Sequence, residues 1–165
     1  MWVTIVGLYA VSLLPVTTQG YAGLDLSGDY VGLERMANLT PEDKDTQWFH
    51  ENTLVVRGNQ AILDMVPVEF RHGKKAYSAS EGGFMTYRGS LLVRNGRVFM
   101  ALRMFESDYI EFAEGEAKYK EIKEYLVKHS AGRIEIDGVQ YRRTALSKPE
   151  RNHLLELLDR VPLNP

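Results

Sequence analysis

The sequence contains no cysteine, and this absence excludes several kinds of site at once. Disulfide bonds, iron–sulfur clusters, thiolate zinc sites and a cysteine nucleophile all require that residue. A chain of 165 residues must then hold its fold through its hydrophobic core, which a domain of this length can do. In an exported protein, the absence also favours a bacterial envelope, because secreted eukaryotic domains often carry disulfides.

Charged residues are missing from the first 24 positions, and the rest of the chain carries all 42 of them. Residues 2–16 form an apolar run of signal-peptide length, too short for a comfortable membrane span, with Pro15 near its end. Gly20 and Ala22 are small residues that predict cleavage after Ala22, with cleavage after Gly20 as the alternative. We therefore expect a signal peptide over residues 1–22 and one exported domain over residues 23–165, periplasmic or extracellular.

The same segment lacks Lys and Arg near its start, which leaves other interpretations open. An upstream start codon would supply the missing positive charge, and an uncleaved segment would remain as a membrane anchor or a buried helix. Only the anchored form predicts membrane contact. A net charge of −2 shows no basic excess, so we do not expect a nucleic-acid partner.

Motifs for common catalytic and cofactor sites are also missing. There is no Gly-x-Ser-x-Gly elbow, no Ser-x-x-Lys, no phosphate-binding glycine loop and no dinucleotide fingerprint. The four histidines are scattered without metal-ligand spacing, so we predict neither a metal nor a cofactor. Carboxylates such as Glu106 and Asp108 would support an enzyme only if they met in a cleft. We therefore expect a protein that is not an enzyme.

Short β-rich segments joined by glycine turns dominate residues 52–112. The Asn95-Gly96 pair is the strongest hairpin signal, because both central positions of that turn need positive φ. The strand that follows, residues 97–105, carries apolar residues on both faces, which is typical of a central strand. The other predicted turns are Gly58-Asn59, His72-Gly73 and Asp137-Gly138.

Two segments carry a helical signal. Over residues 114–128, apolar residues recur at three- and four-residue steps, which predicts an amphipathic helix. Residues 147–150 form a capping box that opens a C-terminal helix, with four leucines between residues 154 and 158 and Pro162 at its end. Thr40 and Pro41 predict a further helical turn.

Together these elements predict a mainly β fold, an antiparallel barrel or sandwich of about eight to ten short strands. One amphipathic helix would precede the last hairpin, and a second helix would follow it. This order resembles that of lipocalin-type barrels, and Gly28-Asp29-Tyr30 stands where that family usually has Gly-x-Trp. The resemblance is one of arrangement.

Charge is unevenly distributed along the chain. Residues 57–103 carry eight positive and three negative side chains, and the segments on either side are acidic. One interpretation is that basic and acidic segments pair across the fold as surface salt bridges. The other is a basic rim at one end of the fold that attracts an anion. The basic residues near turns are Arg71, Lys74, Lys75, Arg88, Arg94 and Arg97.

Two functional hypotheses follow. In the first, the protein is an exported binding module that holds a small amphipathic or anionic molecule in a barrel pocket. In the second, it is an inhibitor or immunity-type protein that contacts an envelope or secreted protein through a loop at residues 77–89. The predicted ligand-binding residues of the first hypothesis are Phe84, Tyr87, Arg88, Phe99, Arg103 and Phe105.

Overall fold

The computed structural model describes residues 25–36, 45–78, 83–107 and 121–160. The predicted signal peptide and the helical turn at Thr40 lie outside these ranges. Within them the chain forms nine strands followed by one helix, α1 (Lys148–Arg160). The strands are β1 (Gly28–Arg35), β2 (Thr46–Arg57), β3 (Gln60–Arg71), β4 (Lys74–Ser78), β5 (Met85–Arg94), β6 (Arg97–Ser107), β7 (Ile122–Ser130), β8 (Arg133–Ile136) and β9 (Val139–Arg143).

Eight of these strands close into an antiparallel barrel, which confirms the predicted fold class. Each barrel strand lies beside its neighbours in sequence, and β1 pairs with β9 to close the ring. β3 is long enough to pair with two different strands on the same edge. Its first half pairs with β5 in the barrel, and its last four residues pair with β4, the extra strand.

Tight turns join the hairpins where the sequence predicts them. Asn95 and Gly96 have φ angles of 52° and 71°, the left-handed backbone that a two-residue hairpin turn requires. His72-Gly73 and Asp137-Gly138 show the same pair of positive φ angles. Local backbone preference therefore determined these three turns.

Alternation along the strands sends one set of side chains into the barrel and the other set outward. On β2, Leu54 and Val56 belong to the interior core, while Val55 between them faces outward. The most enclosed part of the interior is filled with side chains from most of the barrel strands. They include Leu26, Tyr30, Leu54, Val56, Ala61, Leu91, Val98, Met100, Val127, Ile134 and Ile136.

Helix α1 packs on the outside of the barrel, so the predicted C-terminal helix is confirmed. Its Leu154 and Leu158 are buried against Val55 and Ile62, which face outward from β2 and β3. Arg151 at the start of the helix pairs with Asp29 of β1 at 3.0 Å. The helix thus covers an apolar strip of the wall that would otherwise face water.

Ser147 caps the first turn of α1, because its hydroxyl accepts a hydrogen bond from the Glu150 N–H at 3.4 Å. We expect Ser147→Ala to lower the free energy of unfolding by about 1 kcal/mol, since that N–H would lose its acceptor. Urea unfolding measures the change. Ser147→Asp is the control, because aspartate also caps helices, and it should keep most of the stability. An alanine variant as stable as the parent would contradict the prediction.

The helix predicted over residues 114–128 is wrong for its second half, where the chain forms β7. Residues 114–120 lie outside the described ranges. The apolar residues Ile122 and Leu126, four apart, would share one face of a helix, but both are exposed on the outside of the barrel. Tyr125 and Val127 instead alternate inward. Strand pairing with β6 and β8 satisfies the backbone of this segment and completes the barrel wall.

Candidate functional site

A cavity of about 190 Å³ lies inside the barrel near one of its ends. Strand register identifies that end, because Gly32 of β1 pairs with Tyr141 of β9. Glu34 therefore lies close to the turn between β8 and β9. The described side chains that line the cavity are Glu34, Asn52, Leu63, Met65, Tyr87, Leu102, Tyr125, Ile136, Asp137, Val139 and Tyr141.

The opposite end of the barrel is closed. There the tight turns Gly58-Asn59 and Asn95-Gly96 join β2 to β3 and β5 to β6. The hydroxyl of Tyr30 donates a hydrogen bond to the carbonyl oxygen of Leu26 at 2.9 Å, and both residues are buried in the core. Buried core side chains of the described residues thus pack toward this end of the barrel, and the cavity lies toward the other.

Asn52 is the buried polar group of the cavity wall, with 1% of its surface exposed. Its Nδ2 donates to the Tyr141 hydroxyl oxygen at 3.2 Å and to Glu34 Oε2 at 3.4 Å. This orientation of the amide is the favourable one, because a carboxylate accepts hydrogen bonds and would repel the amide oxygen. Oδ1 then has no hydrogen-bond partner in the described part of the chain.

Three tyrosines line the cavity, and burial raises the pKa of each phenol further above neutral pH. Burial raises the pKa of Tyr141 to about 12, against the opposing effect of its hydrogen bond from Asn52. Burial also raises the pKa values of Tyr87 and Tyr125. The carboxylate of Glu34 contributes to the raised pKa at all three phenols. All three hydroxyls are therefore protonated at neutral pH. That of Tyr141 accepts from Asn52, and that of Tyr87 donates to Met85 Sδ at 3.6 Å.

Charge at the cavity is of one sign. Glu34 and Asp137 are acidic, and no Lys, Arg or His stands among the described lining residues. Glu34 is half-buried, whereas Asp137 is exposed in the β8–β9 turn. The lining therefore combines apolar wall, phenols, one amide and two carboxylates.

Of the six predicted ligand-binding residues, Tyr87 lines this cavity. Phe84 is half-buried just before β5 and is not among the lining residues. The other four lie on the outward face of β5 and β6. They are Arg88, Phe99, Arg103 and Phe105. Phe105 packs against the cluster beneath α1. No ligand contact tests these roles, but only Tyr87 is placed where the predicted pocket lies.

Sequence reasoning missed Asn52, Tyr125 and Tyr141. Tyr125 lies in the segment that the apolar spacing predicts as a helix, so the sequence does not show that it faces into the barrel. The alternation of Ile134 and Ile136 with polar residues was a usable signal. Carried around the Asp137-Gly138 turn, it places Tyr141 on the same inward face.

Arg88 is a buried cation on the outer wall, with 7% of its surface exposed. Its Nε and Nη1 have no hydrogen-bond partner in the described part of the chain. Burial lowers its pKa, the carboxylate of Asp159 opposes that effect, and the charges of Arg103 and Arg57 add to it. Because Arg88 is on the outward face of β5, its guanidinium lies outside the barrel, away from the cavity.

The predicted basic residues do not gather at one end of the barrel. Lys74 and Lys75 begin β4, while Arg94 and Arg97 flank the turn at the closed end. Two of the set pair with the acidic segments, Lys75 with Glu51 and Arg94 with Glu124, each at 2.8 Å. These pairs fit the interpretation that basic and acidic segments neutralise each other across the fold.

Other predictions concern residues that the structure does not describe. The tip of the proposed contact loop, residues 79–82, lies outside the described ranges, as do Asp108 and the side chain of Glu106. Within those ranges, no three His, Asp or Glu side chains come together in a way that could hold a metal ion. None of the described helical residues forms an apolar helix of membrane-spanning length.

The fold is an antiparallel β-barrel with an internal cavity toward one end. Comparison with known proteins found no matching protein family, no matching curated protein and no matching solved structure. The function is therefore inferred from the residues that line the cavity.

Proposed function

We propose that this protein is a non-catalytic binding module that holds one small amphipathic molecule in the cavity of its barrel. The observation that carries the proposal is the cavity itself, whose lining combines apolar side chains with the buried Asn52 amide, three phenols and two carboxylates. Ligand sites in proteins combine these two features, because apolar walls provide affinity and a few polar groups orient the ligand.

The size of the cavity limits the ligand. An engineered apolar cavity of roughly 150 Å³ in another protein admits benzene. At about 190 Å³, this cavity accommodates a molecule somewhat larger than benzene, such as a single ring with a short polar side chain.

The unpartnered Asn52 Oδ1 supports a polar group on the ligand. A buried acceptor without a donor costs roughly 1–3 kcal/mol, so a fold has little reason to retain one unless it serves a purpose. A hydroxyl or amine on a bound molecule would supply the missing donor once the Asn52 side chain turns toward the cavity, because Oδ1 itself is buried. Leu63, Met65 and Leu102 provide apolar surface for the rest of that molecule.

Binding in the cavity can be tested with isoleucine methyl resonances in the purified protein. Ile136 lines the cavity, and Ile62 lies on the outer wall beneath α1, so the two methyls are a reporter and an internal control. We expect added 2-phenylethanol to shift the Ile136 resonance and leave the Ile62 resonance in place. A shift at Ile62 alone would place binding elsewhere and contradict the proposal.

The double variant Asn52→Leu/Tyr141→Phe tests whether the polar wall serves binding. We expect it to bind 2-phenylethanol at least about tenfold more weakly, a loss of about 1.4 kcal/mol, since the variant removes the Asn52 acceptor proposed for the ligand hydroxyl. Its free energy of unfolding should stay within about 1 kcal/mol of the parent, because both partners of one hydrogen bond are removed together.

The Ile136 titration and urea unfolding measure these two quantities. Tyr141→Phe alone is the matched control, since it keeps the Asn52 acceptor and should retain most of the affinity. A double variant with unchanged affinity would show that Asn52 does not bind the ligand.

We further propose that the barrel acts outside the cytoplasm, in the periplasm or the extracellular space. The charge-free segment over residues 1–24 supports this location. Intact-mass measurement of protein recovered from the exported fraction should give an N-terminus at Gly23. An exported form that still begins at Met1 would contradict cleavage.

A further inference from the structure

The charged groups at the cavity point to the chemical class of the ligand, an inference that rests on the proposed binding function. The two carboxylates of Glu34 and Asp137 are the charged groups of the described lining. Two further basic side chains face inward nearby and are not among the lining residues: His50 of β2 stands opposite Glu34, with its pKa lowered by burial, and Lys123 of β7 is exposed. An anionic ligand would therefore meet like charge at this site.

Hydrogen-bond capacity favours a ligand that donates. The Asn52 Nδ2 is already engaged with Tyr141 and Glu34, so the amide offers only its oxygen to a ligand. The carboxylates of Glu34 and Asp137 can only accept, whereas the tyrosine hydroxyls can both donate and accept. A primary ammonium group has three donors and no acceptor, and it matches this arrangement.

The aromatic lining also favours a cationic ligand. Aromatic rings attract cations placed over their faces, and three tyrosine rings, Tyr87, Tyr125 and Tyr141, line one small cavity. Because the phenols remain protonated at neutral pH, they add hydroxyl dipoles without adding charge. Aromatic rings beside a carboxylate form a recurring recognition site for organic ammonium groups.

We propose that the cavity selects a small protonated amine on an apolar body, with its ammonium group held by Glu34 and the Asn52 oxygen. Leu63, Leu102 and Ile136 contact the apolar body. Asp137, in the turn at the same end, adds negative potential that attracts the cation.

Three probes of matched size test the proposal at neutral pH, namely 2-phenylethylammonium, 2-phenylethanol and phenylacetate. Titrations followed at the Ile136 methyl give the three dissociation constants. We expect the ammonium to bind at least about tenfold more tightly than the alcohol, and phenylacetate to bind most weakly. Glu34→Gln should remove most of the preference for the ammonium over the alcohol.

Glu124→Gln is the matched control for Glu34→Gln. It removes one negative charge as well, but from the outer wall, where Glu124 pairs with Arg94. We expect this variant to keep the preference for the ammonium. An equal loss in both variants would show that net charge, and not Glu34, produces the selectivity.

The outcomes separate this inference from the proposed function. If the alcohol or phenylacetate binds as tightly as the ammonium and shifts Ile136, the cation selectivity is wrong and the binding module stands. If none of the three probes shifts Ile136, the cavity is not a site for molecules of this size, and both proposals fail.

Discussion

Replacing Gly89 with alanine is expected to lower the free energy of unfolding by about 3 kcal/mol or more. Gly89 lies in β5 opposite Leu102 of β6, in the barrel wall. A Cβ atom at this position would lie 1.9 Å from the carbonyl oxygen of Ala101 and 2.8 Å from its carbonyl carbon. Since both atoms belong to the backbone, the two strands would have to separate and lose pairing. Gly89 therefore permits the close approach of β5 and β6.

Denaturant unfolding of Gly89→Ala, together with its yield of soluble protein, measures this effect. Gly73→Ala is the control, because nothing lies within 4 Å of a Cβ there and only its φ of 74° causes strain. That variant should lose roughly 1–2 kcal/mol. Equal losses of the free energy of unfolding in the two variants would show that the contact with the Ala101 backbone adds no destabilisation. Tyr87 lines the cavity two residues from Gly89. If β5 moves, Gly89→Ala should also weaken the binding of 2-phenylethanol measured at the Ile136 methyl.

Alkaline pH is expected to destabilise the protein through Tyr141. Burial raises the pKa of this phenol from 10.0 to about 12 in the folded state. Below pH 10 the phenol is protonated in both the folded and unfolded states, so its contribution to stability is complete. Between pH 10 and 12 the unfolded chain loses the proton first, which favours unfolding. By pH 12 the loss amounts to about 2 kcal/mol.

Urea unfolding at a series of pH values above 9 measures this dependence, and Tyr141→Phe is the comparison. The free energy of unfolding should fall more steeply with pH in the parent than in the variant. Some slope should remain in the variant, because the pKa values of Tyr87 and Tyr125 are also raised. Parallel curves for the two proteins would contradict a buried, neutral Tyr141.

Much of the local structure could be predicted because its causes are local. Asn95-Gly96 and Asp137-Gly138 form hairpin turns since their residues accept left-handed backbone at small cost. Ser147 and Glu150 mark the start of α1 through a cap that spans four residues. The mainly β class follows from the same evidence, because repeated two-residue turns between β-rich segments are typical of antiparallel hairpins.

The site could not be predicted to the same extent, because it depends on distant pairing. Residues 97–105 are apolar on both faces, so the sequence alone did not show that Phe99 and Phe105 face outward. The faces were decided when β6 paired with β5 and β7 around the barrel. The inward position of Tyr125 could not be predicted for a similar reason, because the apolar residues of β7 have a helical spacing.

The sequence by itself determined the turns, the C-terminal helix and the mainly β class of this protein, since each depends on neighbours a few residues apart. Only the tertiary structure decided which side chains meet inside the barrel. Asn52 and Tyr141 are 89 positions apart and form a hydrogen bond only because β1 lies between β2 and β9. Closure of the barrel brings Glu34 beside them and leaves the cavity where these strands end. The candidate site is therefore a property of long-range strand order.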